Sequence, residues 1–184
     1  MQHKSRWTLI ILFLVCTLPV LASYTTYYFW EPDETVNYGE LVGPTPLPQG
    51  RAEGLAGQPA VDLAALKGRW ALIYAGDGAC DEKCDRALYA MRQAWLAQDK
   101  EMRRVERFWF VTNDVPPSAE ALDEQRGLRV VRAVPEWLAA MPAAESHIYL
   151  VDPLGNAMMR FPAQPDIKQV IQDLRRLLKY SQLG

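Results

Sequence analysis

Hydrophobic positions divide the body of the chain into short apolar runs and helically spaced stripes. Short apolar runs bounded by glycine, proline or charged residues are typical of strands. Such runs lie at residues 70–75, 108–111, 128–131, 147–151 and 157–161. Leu88, Met91 and Trp95 recur at spacings of three and four, and a longer stripe runs from Ile167 to Leu178. Both stripes predict amphipathic helices.

The order of these elements predicts an α/β fold. A strand, a helix, a strand and a further helix precede two strands joined by the turn Asp152–Gly155, which is typical of a β-hairpin. A helix closes the chain. This is the order of a thioredoxin-like domain, and we expect that fold behind a single N-terminal transmembrane helix.

The first thirty residues predict a membrane anchor. Lys4 and Arg6 precede the uncharged segment Trp7–Trp30, which is long enough to span a bilayer. Positive residues on the short N-terminal side predict a cytoplasmic N-terminus. We therefore expect a single-pass protein of a bacterial inner membrane with its domain in the periplasm. A signal peptide cleaved after Ala22 is the alternative.

The expected organisation has three parts. Residues 1–30 are the tail and anchor, residues 31–62 a spacer, and residues 63–184 the thioredoxin-like domain. The spacer is predicted from the proline-rich stretch Gly43–Pro48, which has an extended bias.

Charge and motifs exclude several functions. The 184-residue chain has a net charge of −2 with no basic stripe, so we expect no nucleic-acid partner. It has no GxxxxGK[ST] or GxGxxG motif for phosphate binding. A hydrolase would depend on His147, but no GxSxG motif accompanies it.

The sulfur chemistry of the domain rests on Cys80 and Cys84. The third cysteine, Cys16, lies in the apolar N-terminal segment and is interpreted as a small apolar filler. The pair follows the first strand and opens the first helix, where backbone N–H groups favour thiolates. Because the residues are one helical turn apart, their sulfurs can share a face. They can form a disulfide or bind a soft metal.

His147 favours the metal interpretation. It begins a predicted strand at the place where thioredoxin-like oxidoreductases normally carry a cis-proline, and the cysteines are spaced CxxxC instead of CxxC. An imidazole there is expected to point towards the two sulfurs. Two thiolates and one imidazole suit Cu(I), and a weak axial ligand would suit Cu(II). The plainer alternative is a histidine bonded to nearby backbone.

These residues resemble the Sco/SenC family, membrane-anchored copper proteins of cytochrome oxidase assembly. The resemblance rests on Leu66–Ala75, on Cys80 and Cys84, and on Ser146–Gly155. It implies that Cys80, Cys84 and His147 match the copper ligands of the family. It also implies a cytochrome oxidase subunit, or another exported cysteine-containing copper protein, as the partner that receives copper or has its cysteines reduced.

The chain departs from the family pattern beside the cysteines and in one loop. Asp81 and Asp85 stand where the family commonly has prolines, and the acidic, proline-containing loop is reduced to Thr112–Pro117. Two alternatives therefore accompany the copper hypothesis. In the first alternative the protein is an exported thiol-disulfide oxidoreductase that uses Cys80 and Cys84. In the second it is a non-catalytic scaffold for oxidase assembly.

Overall fold

The computed structural model describes residues 2–29, 37–123 and 125–181. The chain divides into an N-terminal unit that ends at Val36 and a second unit that begins at Asn37. Trp30, the last residue of the predicted span, and the first residues of the predicted spacer lie outside the described residues.

The N-terminal unit contains one long helix, α1, from Gln2 to Phe29. Within it, Arg6–Tyr28 has a mean hydropathy of 2.1 over its most apolar window, and the protein buries none of that window. A helix of 23 residues is long enough to cross a bilayer. The predicted apolar helix is thus confirmed as a candidate membrane span, and its length and composition also suit the signal-peptide alternative.

The second unit contains all the strands of the described residues. The strands are β1 (Glu40–Pro46), β2 (Arg51–Ala52), β3 (Val61–Asp62), β4 (Trp70–Gly76), β5 (Val105–Val111), β6 (Leu128–Arg132), β7 (His147–Val151) and β8 (Asn156–Pro162). The remaining helices are α2 (Glu82–Leu96), α3 (Ala119–Asp123), α4 (Pro135–Ala140) and α5 (Ile167–Tyr180). Six strands form one mixed sheet in the order β1-β8-β7-β4-β5-β6, and β2 pairs with β3.

The sheet separates two apolar cores. On one face, Leu88 of α2 and Leu174 of α5 belong to the same buried cluster. On the other face, Trp137 of α4 packs in a second cluster. The central strand β4 contributes alternately to both clusters and is buried along its whole length. Burial on both faces explains why its sequence is a continuous apolar run.

The structure corrects part of the predicted spacer. Residues 40–46 form β1, which pairs antiparallel with β8 at the edge of the main sheet. The backbone N–H of Gly39 donates to the buried carboxylate of Asp173 at 2.9 Å. Tyr38 packs against Phe161, with ring centroids 6.3 Å apart. These contacts place the start of the folded domain near Asn37 instead of residue 63.

Candidate functional site

The loop that carries Cys80 is held against a neighbouring loop. The N–H of Gly78 donates to Asn113 Oδ1 at 3.0 Å, and a Cβ at residue 78 would lie only 1.8 Å from the carbonyl oxygen of Val115. Glycine is therefore required for this close approach. Cys80 itself adopts a left-handed conformation with φ of 48°, and its N–H donates to the carbonyl of Asp77 at 3.1 Å.

Asp81 caps the helix that follows. Its carboxylate accepts a hydrogen bond from the backbone N–H of Cys84 at 2.8 Å. This side chain satisfies one of the unpaired N–H groups at the start of α2. Aspartate thus supplies at this position a hydrogen bond that proline lacks. The departure from the family pattern has a structural role here.

Cys80 and Cys84 are joined by a disulfide, with their Cα atoms 5.1 Å apart. Cys84 is buried in the core at 2% exposure, whereas Cys80 is half-buried at the core's edge. Attack on a disulfide depends on access to the sulfur. Cys80 is therefore the half-cystine that an incoming thiol meets first.

A pocket of about 200 Å³ lies beside the disulfide. Its lining residues are Tyr74, Gly76, Asp77, Ala79, Asp81, Lys83, Cys84 and Glu145. Burial, followed by the nearby carboxylates of Asp81, Glu145 and Asp77, raises the pKa of Tyr74 to about 12. Lys83 donates to the hydroxyl of Ser146 at 3.2 Å and so links α2 to the residues before β7.

His147 and Cys84 lie on different faces of the main sheet in the disulfide form. Ile148 and Leu150 of β7 pack in the core that contains Cys84, whereas Tyr149 and Val151 pack in the opposite core. Side chains alternate along a strand, so His147 lies on the face of Tyr149. In the disulfide form its ring is therefore on the face of the sheet opposite the core that contains Cys84.

The surroundings of His147 support this placement. Its Nδ1 lies 3.1 Å from the carbonyl oxygen of Ala143. This contact corresponds to the plainer alternative, a histidine bonded to nearby backbone. The hydrogen bond from Arg160 is the largest cause of the lowered pKa of Glu40, and the nearby ring of His147 adds a smaller contribution. Among residues 2–29, 37–123 and 125–181, no three histidine, cysteine or acidic side chains are placed to hold one metal ion. The role of His147 as a copper ligand stays a prediction.

Sequence reasoning missed Tyr74 as a site residue. Tyr74 belongs to the apolar run that predicted β4, and only its hydroxyl distinguishes it from the core residues around it. A useful signal was its position near the carboxyl end of that strand, where loops and functional residues of α/β folds gather. Glu145 and Asp77 are distant in sequence and meet at the pocket only through folding.

Comparisons with known proteins agree with this architecture. A family model described as a transmembrane-like, thioredoxin-like, C-terminal domain matches residues 70–181. No curated protein matches the sequence significantly. Apo Sco1 from Thermus thermophilus is similar in structure, with a TM-score of 0.63, 19% identity, and coverage of 80% of this chain and 99% of that chain.

Two further Sco structures resemble this chain. ScoI from Bradyrhizobium japonicum, with copper bound, has a TM-score of 0.55 and 20% identity, and the match covers 74% of this chain and 99% of that chain. BsSco, described as having a disulfide switch and as a member of the Sco family of cytochrome c oxidase assembly proteins, has a TM-score of 0.57 and 14% identity, with 75% and 96% covered. These similarities confirm the predicted thioredoxin-like fold.

Proposed function

The chain belongs to the family of transmembrane-like, thioredoxin-like C-terminal domains. We propose that it is a membrane-anchored thiol protein that reduces cysteines of a cytochrome oxidase copper centre, and its similarity to a member of the Sco family of cytochrome c oxidase assembly proteins supports this role. The observation that carries the proposal is the Cys80–Cys84 disulfide at the amino end of α2. Its more exposed half-cystine, Cys80, is placed to react with a partner, and its buried half, Cys84, to resolve the product.

The reaction proceeds through a mixed disulfide. In the reduced protein, the thiolate of Cys80 attacks one sulfur of the client's disulfide, and the other client sulfur leaves as a thiolate that takes up a proton. The thiolate of Cys84 then attacks the sulfur of Cys80 and releases the second client thiol. The client gains two electrons and two protons, and the protein returns to its disulfide. An exported dithiol reductant must restore the reduced pair.

Mixed-disulfide trapping tests this reaction. The full-length protein in detergent is reduced and mixed with the oxidised, cysteine-containing copper domain of an oxidase subunit. Cys84→Ser should accumulate the mixed disulfide, whereas Cys80→Ser should not. Cys16→Ser serves as the background, because it removes the remaining thiol outside the pair. The absence of any trapped complex with either single substitution would contradict the proposal.

Copper delivery is the second candidate function. Reduction of the pair would provide two thiolates, which are soft ligands suited to Cu(I). The copper-bound form of ScoI from Bradyrhizobium japonicum supports this candidate through its shared fold. Cys80 and Cys84 would hold the ion as cargo, with His147 as the predicted third ligand.

Anaerobic Cu(I) titration of the reduced full-length protein tests copper delivery. Cys80→Ser and Cys84→Ser should each lose binding of about one copper per chain. His147→Ala should lower the Cu(I) affinity if His147 is a third ligand, and it should leave that affinity unchanged if the two thiolates alone bind the ion. Unchanged Cu(I) binding in both cysteine variants would contradict copper delivery by this pair.

The proposed location is the bacterial inner membrane, with the N-terminus in the cytoplasm and the domain in the periplasm. Lys4 and Arg6 on the short N-terminal side of α1 support this orientation. A membrane-impermeant protease added to intact spheroplasts should digest the C-terminal domain. If the domain is digested only after the cells are lysed, the orientation is the opposite of the proposed one.

The proposed role also predicts a cellular phenotype. A strain that carries the Cys80→Ser, Cys84→Ser double substitution should lose activity of the oxidase that depends on the copper centre. The single Cys16→Ser substitution should retain it. Full oxidase activity in the double variant would favour the scaffold alternative over both thiol-based functions.

A further inference from the structure

The pocket beside the disulfide is rich in carboxylates. Asp77, Asp81 and Glu145 line it together with one cation, Lys83. The ammonium group of Lys83 is engaged by Ser146 at 3.2 Å. The lining therefore has an excess of negative charge directly beside Cys84.

Tyr74 provides a second, independent feature of this pocket. Its side chain is 2% exposed, and within the described part of the chain its hydroxyl has no hydrogen-bond partner. The hydroxyl oxygen is not fully enclosed by protein, so it is open to the pocket that Tyr74 lines. Gly76 leaves room for the phenol, because a Cβ at that position would lie 3.2 Å from the hydroxyl oxygen. An unpartnered polar group thus borders a negatively charged pocket.

The positions of the oxygen atoms favour an organic cation over a metal ion. One oxygen of Asp81 accepts from the N–H of Cys84, and one oxygen of Asp77 accepts from Thr112 at 3.3 Å. The described residues place no three acidic side chains around a common metal position. Separated acceptors suit a group with several N–H donors, such as an ammonium or guanidinium. The volume of about 200 Å³ is several times the ~30 Å³ share of one water molecule.

We propose that this pocket is a recognition subsite that receives a lysine or arginine side chain of the client polypeptide, close in sequence to the client cysteine. The subsite rests on the proposed thiol-exchange function and adds the class of polypeptide that reacts. The carboxylates of Asp77 and Glu145 bind the cation, and the hydroxyl of Tyr74 lies beside it. The bound side chain orients the client sulfur towards Cys80.

Peptide exchange kinetics test the subsite. The oxidised full-length protein in detergent reacts with short peptides that contain two cysteines, each flanked by lysine, by serine or by glutamate. Two peptide thiols are oxidised to a disulfide as Cys80–Cys84 is reduced, so the reaction balances without another oxidant. A fourth peptide has the composition of the lysine peptide but places its lysines six residues from the cysteines. The lysine-flanked peptide should react about tenfold faster than the glutamate-flanked peptide at low salt.

Matched variants separate the pocket from the overall charge of the protein. The variant D77N/E145Q should reduce the preference for the lysine-flanked peptide to about twofold or less. Tyr74→Phe should reduce the preference for that peptide over the serine-flanked one without altering its salt dependence. Glu136→Gln removes one exposed charge on α4, on the opposite face of the sheet, and should retain the preference.

The outcomes distinguish failure of the subsite from failure of the thiol-exchange function. Loss of the preference in D77N/E145Q alone supports the subsite. A preference that persists in that variant, or that is equal for the displaced lysines, overturns the subsite and leaves thiol exchange intact. Equal rates for all peptides with the wild-type protein have the same meaning. No exchange with any peptide overturns the thiol-exchange function and the subsite with it.

Discussion

The close approach of Gly78 to Val115 predicts a large effect of a single methyl group. A Cβ at residue 78 would lie 1.8 Å from the carbonyl oxygen of Val115, whereas ordinary contact begins at 3.4 Å. The two loops must therefore separate by about 1.6 Å. This movement strains or breaks the hydrogen bond from Gly78 to Asn113, which is 3.0 Å long.

The expected cost of Gly78→Ala follows from these contacts. Inserting an atom into a packed region typically costs about 1–3 kcal/mol, and the lost hydrogen bond adds about 1 kcal/mol. The free energy of unfolding should therefore fall by about 2–4 kcal/mol, and the Tm by roughly 10 °C for a domain of this size.

Thermal unfolding of the full-length protein in detergent, followed by circular dichroism, measures this effect. Gly43→Ala is the matched control, because a Cβ at that position meets nothing within 4 Å. The control should change the free energy of unfolding by at most about 0.5 kcal/mol. If Gly78→Ala unfolds at the same temperature as Gly43→Ala, the two loops are not packed as the structure shows.

Three further predictions concern stability. Reduction of the Cys80–Cys84 disulfide should lower the free energy of unfolding by about 2 kcal/mol, because the bridge closes a short loop. Denaturant titration with and without reductant measures this loss, and a value above about 4 kcal/mol would contradict the prediction. Burial and nearby carboxylates raise the pKa of Tyr74 to about 12, above the ~10 of an unfolded chain. The folded state therefore holds this proton more tightly, so the free energy of unfolding should fall by about 2–3 kcal/mol as the pH rises from ~10 to ~12. An equal fall in the free energy of unfolding of wild type and Tyr74→Phe over this pH range would refute the prediction. Arg107 is 1% exposed and lies 4.8 Å above the ring of Trp95. Arg107→Met keeps most of this packing, so its free energy of unfolding should exceed that of Arg107→Ala by about 1–2 kcal/mol, as measured by denaturant titration. Equal unfolding midpoints would show that the charge of the guanidinium matters more than the volume of the side chain.

The sequence predicted the parts of the fold that depend on neighbouring residues. The apolar run at 70–75 and the cysteine loop after it are contiguous, so their strand, turn and helix follow from local patterns. The strand β1 was missed because its glycine and prolines are typical of a spacer. Proline is tolerated in β1 because this strand lies at the edge of the sheet, where one side needs no hydrogen bonds. Its pairing with β8 spans more than a hundred residues, and no local pattern specifies it.

The face of β7 that His147 occupies depends on the register of that strand. Tyr74 of β4 is paired with Ile148, and shifting a strand by one residue moves every side chain to the other face. Ser146 contacts Lys83 of α2, so residue 146 already lies on the cysteine side. We therefore expect that Ser146→His in a His147→Ala background binds Cu(I) more tightly than His147→Ala alone, as measured by anaerobic titration against a competing chelator.

Equal affinities in these two proteins would show that residue 146 does not approach the sulfurs. A lower Cu(I) affinity in His147→Ala than in wild type would instead show that His147 contributes to copper binding. Because His147 pairs with Pro162 in the disulfide form, its ring can reach the other face only if the first residue of β7 leaves the sheet. Copper binding through His147 would then require a local change in β7 when the disulfide is reduced. Amide hydrogen exchange at residues 147 and 148 in the oxidised and reduced proteins would detect that change directly.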